Sequence, residues 1–466
     1  VKRWLLALLA GCGGVEPAAP SPAERWMARV DWPTATEEAA EVLSGYLAVD
    51  TSNPPGREVD GGRYLAALLE REGIPTVWLP LDAERGNLVA RLEGSGEEAP
   101  LCLMSHIDVA TAEASTWARP PFSGLREEGL VWGRGALDMK GVGVAELLTL
   151  VWLKRLGVPL RRDVVLLAVA DEEVGSLGAR ELAARHWDSL GCSHLLNEGG
   201  IGLRGGVVEG VTTYAISVAE KGSLWVRMVA SGPSGHGSTP LEDSAPMRLQ
   251  RALGRLASRH PAPRFSPVVH ALAEEVGRAA GGAQGWVLRT PWATQAFATG
   301  PLLRNPLTRA MLTDTVNVTG FGGAQAPNVV PSEVWAQLDV RVLPDTTPLA
   351  VLAELEALVD DPAVRFEVLE TVEPASSPID DGVYQALVRS VRAQVPGAAV
   401  GPLIMMATTD STFFRVKGVR AYGVALFALS PERLRGMHGV DERLEEEELG
   451  RGLQILLRAV IEVSEG

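Results

Sequence analysis

The stretch that decides the fold reads Leu101-Cys102-Leu103-Met104-Ser105-His106-Ile107-Asp108. Its opening residues form an apolar run of strand length, which reads as a buried strand. The polar residues come at the carboxyl end of that run. Side chains alternate along an extended chain, so His106 and Asp108 point to the same side. An imidazole that ligates a metal needs a carboxylate or carbonyl behind it to fix its tautomer, and Asp108 is placed to be that group. Further on, Gly133-Arg134-Gly135-Ala136-Leu137-Asp138-Met139-Lys140-Gly141 puts Asp138 in a Gly-rich loop ahead of a long apolar segment. A carboxylate there ligates one metal or bridges two.

A second apolar run, 163–170, ends in Asp171-Glu172-Glu173. Adjacent glutamates at a strand end point in different directions. One, Glu173, is then free to bind metal while the other, Glu172, faces the reacting water as a general base. Glu198, in Leu196-Asn197-Glu198-Gly199-Gly200, and His438, in Gly436-Met437-His438-Gly439, complete a set. The expected ligands are His106, Asp138, Glu173, Glu198 and His438. Two imidazoles and three carboxylates suit zinc, with cobalt or manganese as alternatives. Asn197 is the rival of Glu198, but a neutral amide is the poorer zinc ligand. Taken singly, each of these residues reads as a capped or ion-paired residue at a strand end. Their succession points to a metal centre.

Apolar strand-length runs alternate with amphipathic helical stretches up to about residue 212. The expected helices are 34–48, 62–72, 138–156 and 176–186, the first opened by the capping-box pattern Thr34-Ala35-Thr36-Glu37. This is the pattern of an α/β fold: a sheet flanked by helices, with ligands at the carboxyl ends of its strands. The rhythm then changes. Segments 214–219, 224–230, 316–321 and 332–342 read as strands of a separate sheet, with helical stretches 247–258 and 268–280 between them. The domain reading is a catalytic domain over 34–212 and 343–466, interrupted by an inserted α+β lid over 213–342. Trp286 and Trp292 in the lid are read as packing residues, with contact to an apolar substrate as the alternative, and His186, His194, His260 and His270 as structural.

At the amino end, Lys2 and Arg3 precede an apolar run and then Leu9-Ala10-Gly11-Cys12, the order of a bacterial lipoprotein signal segment (1–12). Cys12 is the expected lipidation site, 13–33 a flexible tether, and the bacterial cell envelope the expected location, with the chain anchored to a membrane through lipid. The chain has 466 residues, 46% of them hydrophobic, and a net charge of −15. That charge argues against nucleic acid or an acidic membrane surface as a partner of the chain as a whole. Three cysteines make no disulfide framework, so Cys102 and Cys192 are expected as buried thiols, a bridge being compatible with an oxidising compartment.

The order of these motifs, His-x-Asp, Gly-Arg-Gly-x-x-Asp-Met-Lys-Gly, Asp-Glu-Glu, Glu-Gly-Gly and Met-His-Gly, resembles the M20 family of zinc peptidases and amidohydrolases. The likeness covers about residues 35–466 and includes Val49-Asp50-Thr51-Ser52-Asn53-Pro54-Pro55-Gly56. It implies a zinc-peptidase-type mixed sheet with an inserted lid, and two Zn2+ per chain. It also implies that His236, in the Gly-rich turn 231–238, stabilises the developing oxyanion from the lid. Asn328 resembles the family's contact to the substrate carbonyl, and Arg341 its contact to the substrate carboxylate. Thr409 stands in a segment of the substrate pocket, where Ala407-Thr408 departs from the family's Gly-Thr-Asp. Catalytic roles fall to Asp108, Glu172 and His236. The expected activity is cleavage of an amide next to a free carboxylate, first as a carboxypeptidase on short peptides, second as a deacylase of N-acyl amino acids. A non-catalytic binding module is the alternative of another class. The size of the lid suggests a homodimer formed through it.

Overall fold

The computed structural model describes residues 20–205, 208–323 and 326–466, so Cys12 and the signal segment lie outside the described residues. Two sheets organise the chain. Among the described residues the larger has eleven strands; of four parallel neighbours, Val164–Val169, Leu101–His106 and His194–Asn197 lead into the site and Arg420–Gly423 lies beside them. Antiparallel hairpin Thr76–Pro80/Gly86–Leu92 extends one side, and Thr212–Glu220 with its neighbours the other. The sheet is therefore mixed.

Burial explains why the central strands read as unbroken apolar runs. Every residue of Leu101–His106 and Val164–Val169 is buried. Leu101, Leu103, Val164 and Leu166 feed a core shared with four long helices, whereas Cys102, Met104, Val165 and Leu167 feed a second core with Trp187, Leu190 and Phe414. A strand covered on both faces needs apolar residues at odd and even positions alike. The four helices are Trp32–Leu47, Lys140–Leu156, Gly382–Gln394 and Glu446–Ser464. Helix Lys140–Leu156 approaches its strand closely through Gly143, where an added Cβ would stand 2.9 Å from Ser105 Oγ. It stops at Gly157, whose φ of 66° closes the last turn in the left-handed region. Trp32–Leu47 begins two residues earlier than its capping-box pattern implied, with Asp31 at the N-cap.

The smaller sheet is wholly antiparallel, in the order Thr315–Gly322, Glu333–Val342, Gly222–Ser231, Val364–Val372. Two sequence expectations change here. Segment 214–219 belongs to the larger sheet, where Thr212–Glu220 pairs with Ala399–Met405 and Ile201–Arg204. The smaller sheet also runs past residue 342, because Val364–Val372 is its fourth strand and helix Pro348–Val359 packs beneath it with Ala245–Ala257. The chain crosses between sheets at Lys221. Its buried ammonium donates to the carbonyls of Ala310 and Thr313 at 3.1 and 2.9 Å.

Cys102 and Cys192 are bonded to each other, correcting the expectation of two thiols. Strand pairing explains it: Leu101 lies opposite His194 in register, which brings Cys192, two residues before that strand, beside Cys102, with Cα atoms 5.9 Å apart.

Candidate metal centre

The expected ligands converge at the carboxyl ends of the parallel strands. His106 ends its strand; His106 Nδ1 donates to the Asp108 carbonyl at 2.8 Å, which leaves Nε2 facing the site. His106 Nε2 lies 3.1 Å from Asp138 Oδ1 and 3.9 Å from Glu198 Oε1. His438 Nε2 lies 3.0 Å from Asp138 Oδ2 and 3.2 Å from Glu173 Oε2. Asp138 thus offers one carboxylate oxygen to each imidazole. Glu172 joins His106 and Glu198 in a further cluster whose donor atoms all lie within 4.8 Å of one another. Asn197 turns away to donate to Ser411 Oγ at 3.0 Å, so Glu198 is the carboxylate that faces the centre.

Asp108 backs His106 as expected, through its carbonyl rather than its carboxylate. Its carbonyl orients His106, while its carboxylate stands 3.7 Å from the ring and is taken up elsewhere. The carboxylate accepts from the backbone N–H groups of Glu172 and Glu173, both at 3.1 Å, and from Asn53 Nδ2 at 2.9 Å. It therefore fixes the direction in which both glutamates leave the strand.

Two buried networks hold the ligand loops, and sequence reasoning missed both. In the first, Arg85 donates to Asp171 at 2.6 Å and to Asn53 Oδ1 at 2.7 Å, and Asn53 donates to Asp171 at 2.8 Å. Asp171 has a φ of 72°, the sharp turn that carries the chain from strand to Glu172. In the second, Glu442 accepts from the N–H groups of Leu137 and Asp138 at 2.7 and 3.2 Å and pairs with Arg134 at 2.7 Å. Asn53, Asp171 and Arg134 each lie in a motif visible in the sequence, but their partners Arg85 and Glu442 carry no mark of their own.

The electrostatics call for cations. Burial disfavours a charge on His106, but Asp138, Glu198, Glu172 and Asp108 outweigh it and hold its pKa well above the ordinary value. Asp138 and Glu173 push His438 up to about 10. Burial and the neighbouring Glu198 raise Glu172 well above the carboxylate range. Asp410, fully desolvated, is pushed up to about 7. Among the described residues, Asp138, Glu172, Glu173 and Glu198 have no Lys or Arg ion-pair partner. So many desolvated carboxylates around two imidazoles form a donor set that fits divalent metal ions.

The lid residues do not reach this centre. His236 is exposed and bonds within its own loop, to Ser238 Oγ at 2.7 Å. Asn328 lies beside it, its carbonyl accepting from Gly237 N–H at 2.8 Å. Arg341 is engaged by Asp339 at 2.7 Å and donates to Thr408 Oγ1 at 3.0 Å. Thr409, expected in the substrate pocket, is buried. Its hydroxyl donates to Glu220 at 2.7 Å, because Glu220 is itself buried and needs Thr409 and Arg415 as partners.

Comparison with known proteins agrees with this geometry. The family model of peptidase family M20/M25/M40 matches residues 102–462. N-fatty-acyl-amino acid synthase/hydrolase PM20D1 of Homo sapiens is 31% identical over 354 residues, spanning 74% of this chain and 70% of that protein. Probable carboxypeptidase S-like 2 of Dictyostelium discoideum is 26% identical over 367 residues, spanning 77% of this chain and 70% of that protein. The M20 family metallo-carboxypeptidase Sso-CP2 from Sulfolobus solfataricus shares the fold, with a TM-score of 0.70 at 21% identity over 91% of this chain and 99% of that one. The motifs, the fold and the convergence of two histidines on one aspartate thus lead to one conclusion: this chain belongs to peptidase family M20/M25/M40 and is a metal-dependent-type hydrolase of peptide or amide bonds.

Proposed function

We propose that this protein hydrolyses the amide of an N-acyl amino acid, next to the free carboxylate of the amino acid, using two zinc ions. The observation that carries the reading is the shared Asp138 carboxylate, 3.1 Å from one imidazole and 3.0 Å from the other. His106 and Glu198 would hold one ion, His438 and Glu173 the other, with Asp138 common to both. Bound ions supply Lewis acidity and a more acidic attacking water. Glu172 takes the proton of that water as it attacks the amide carbon, then delivers it to the departing nitrogen. Asp108 keeps Glu172 aimed through the backbone bond at 3.1 Å. Arg341 would exchange Asp339, which now holds its planar fork at 2.7 Å, for the substrate carboxylate.

The sequence alone ranked short peptides ahead of N-acyl amino acids. The order is reversed here because a relative at 31% identity is named an N-fatty-acyl-amino acid synthase/hydrolase. Carboxypeptidase action stays as the second reading, supported by the relative named a probable carboxypeptidase S-like protein. In the same reading His236 reaches the centre from the lid of a second copy, and Cys12 carries a lipid anchor to a bacterial envelope membrane.

Free amino acid release from a panel of N-acyl amino acids and dipeptides, with and without chelator, tests the assignment. Chelator-sensitive release, faster from acyl amino acids than from dipeptides, is the expected result. The reverse preference selects the carboxypeptidase, and release untouched by chelator removes the metal mechanism.

A further inference from the structure

From Val276 to Thr313 the chain carries Arg278, Arg289, Arg304 and Arg309 and no Asp or Glu, in a protein whose net charge is −15. The segment forms a helical arm of several short helices, Gly282–Arg289, Thr299–Arg304 and Pro306–Leu312 among them. Its root, Pro267–Ala280, is packed: Val276 and Leu272 join Ala399 and Val211 in a small core. Its outer part is not. Trp286, Trp292 and Phe297 are 48%, 61% and 63% exposed, which overturns the reading of both tryptophans as packing residues. The three rings touch in series, with centroids 5.7 and 6.3 Å apart. Leu307, 54% exposed, adds apolar surface. Arg278 is neutralised by Glu274 and Glu275, but among the described residues Arg289, Arg304 and Arg309 have no carboxylate partner.

We propose that this arm is a docking surface for an anionic lipid bilayer. Contiguous exposed aromatics rimmed by unpaired arginines are the composition of an interfacial membrane contact, where rings sit at headgroup depth and guanidinium groups meet lipid phosphate. No described helix is long and apolar enough to cross a membrane, so the contact is a surface one. The charge selects this occupant over a second copy of the chain. A contact between the arms of two copies would leave the arginines of both without an opposite charge, because 276–313 holds no carboxylate side chain.

The test uses the full chain carrying Cys12→Ser, so that no attached lipid contributes. Two derivatives share that amino terminus, whose own contribution cancels. One is Trp286→Ser/Trp292→Ser/Phe297→Ser, the other Arg289→Gln/Arg304→Gln/Arg309→Gln. Co-sedimentation is measured with phosphatidylglycerol-containing vesicles and with pure phosphatidylcholine vesicles. The parent is expected to bind the anionic vesicles at least tenfold more tightly. Each derivative is expected to lose at least tenfold of that binding, since each arginine near an anionic surface contributes about fivefold. The arginine derivative keeps the aromatic cluster, so a folded, weakly binding protein there supports the inference even if the aromatic derivative is unstable. Equal binding to both vesicles, or arginine and aromatic derivatives that bind like the parent, overturns it. So does loss of concentration-dependent self-association in the aromatic derivative with vesicle binding intact.

Discussion

Along Leu101–His106 every residue is buried and successive side chains feed two different cores. Along Glu333–Val342, buried positions alternate with half-exposed ones, because only one face of the smaller sheet is covered. The two regions carry their functional residues differently as a result. The strands clamped on both faces deliver His106, Glu172, Glu173 and Glu198 to within a few ångströms of one another, on turns held by Asp108 and Asp171. The one-faced sheet carries His236 and Asn328 on two exposed segments, 235–236 and 329–330 with its flank, that pair only through a short antiparallel ladder. Metal ligands need fixed positions before the ion arrives. A group that acts only as charge develops on the substrate can arrive later, which suits an open loop.

The largest effect that would break this contrast is on the clamped side. Glu172→Gln removes the base and preserves shape, so metal content is expected to stay while kcat falls ~10²–10⁴-fold. Near-normal kcat at full metal content would give the proton work to another residue. On the open side, His236→Ala is expected to lower kcat about 10²–10³-fold with little change in KM, since an oxyanion donor acts on the transition state. Mixing His236→Ala and Glu172→Gln chains sharpens the point: partial activity returns if a second copy supplies His236. If hybrids form and no activity returns, the histidine acts within its own chain or not at all. A smaller effect is expected from Glu442→Gln. It weakens the bonds to the Leu137 and Asp138 N–H groups, so metal affinity measured by competition with a chelator should fall roughly 10–100-fold. Unchanged affinity would reduce Glu442 to a structural partner of Arg134. Last, reducing the Cys102–Cys192 bond should lower the unfolding midpoint without altering metal content. Closing a loop of that length contributes about 2–5 kcal/mol, and both cysteines pack on the face away from the four long helices.

The same contrast governs what could be read beforehand. Of the five expected ligands, His106, Glu173 and Glu198 follow apolar strand runs, and Asp138 and His438 stand in short Gly-rich motifs, all visible in one dimension. The Arg85–Asn53–Asp171 and Arg134–Glu442 networks join positions far apart in the chain, with no local pattern to mark their pairing. Cys102 and Cys192 are separated by 90 positions, and only the register of Leu101 against His194 brings them together. Segment 214–219 was assigned to the smaller sheet because the helical rhythm stops there. Its buried run from Thr213 to Glu220 is instead the mark of a strand covered on both faces, unlike the alternation along Glu333–Val342 in the smaller sheet. Thr409 was placed in the pocket by its motif, yet the buried carboxylate of Glu220 claims its hydroxyl.

The central claim is that one carboxylate joins two cation sites, and metal stoichiometry tests it most directly. Chains stripped of metal and titrated with Zn2+ are read by equilibrium dialysis and elemental analysis, wild type beside Asp138→Asn. The account expects two tightly held ions per wild-type chain and loss of both high-affinity sites in Asp138→Asn, because each imidazole loses the oxygen it now faces at 3.1 or 3.0 Å. A single tight ion in the wild type, or an Asp138→Asn chain that still holds two, would contradict it.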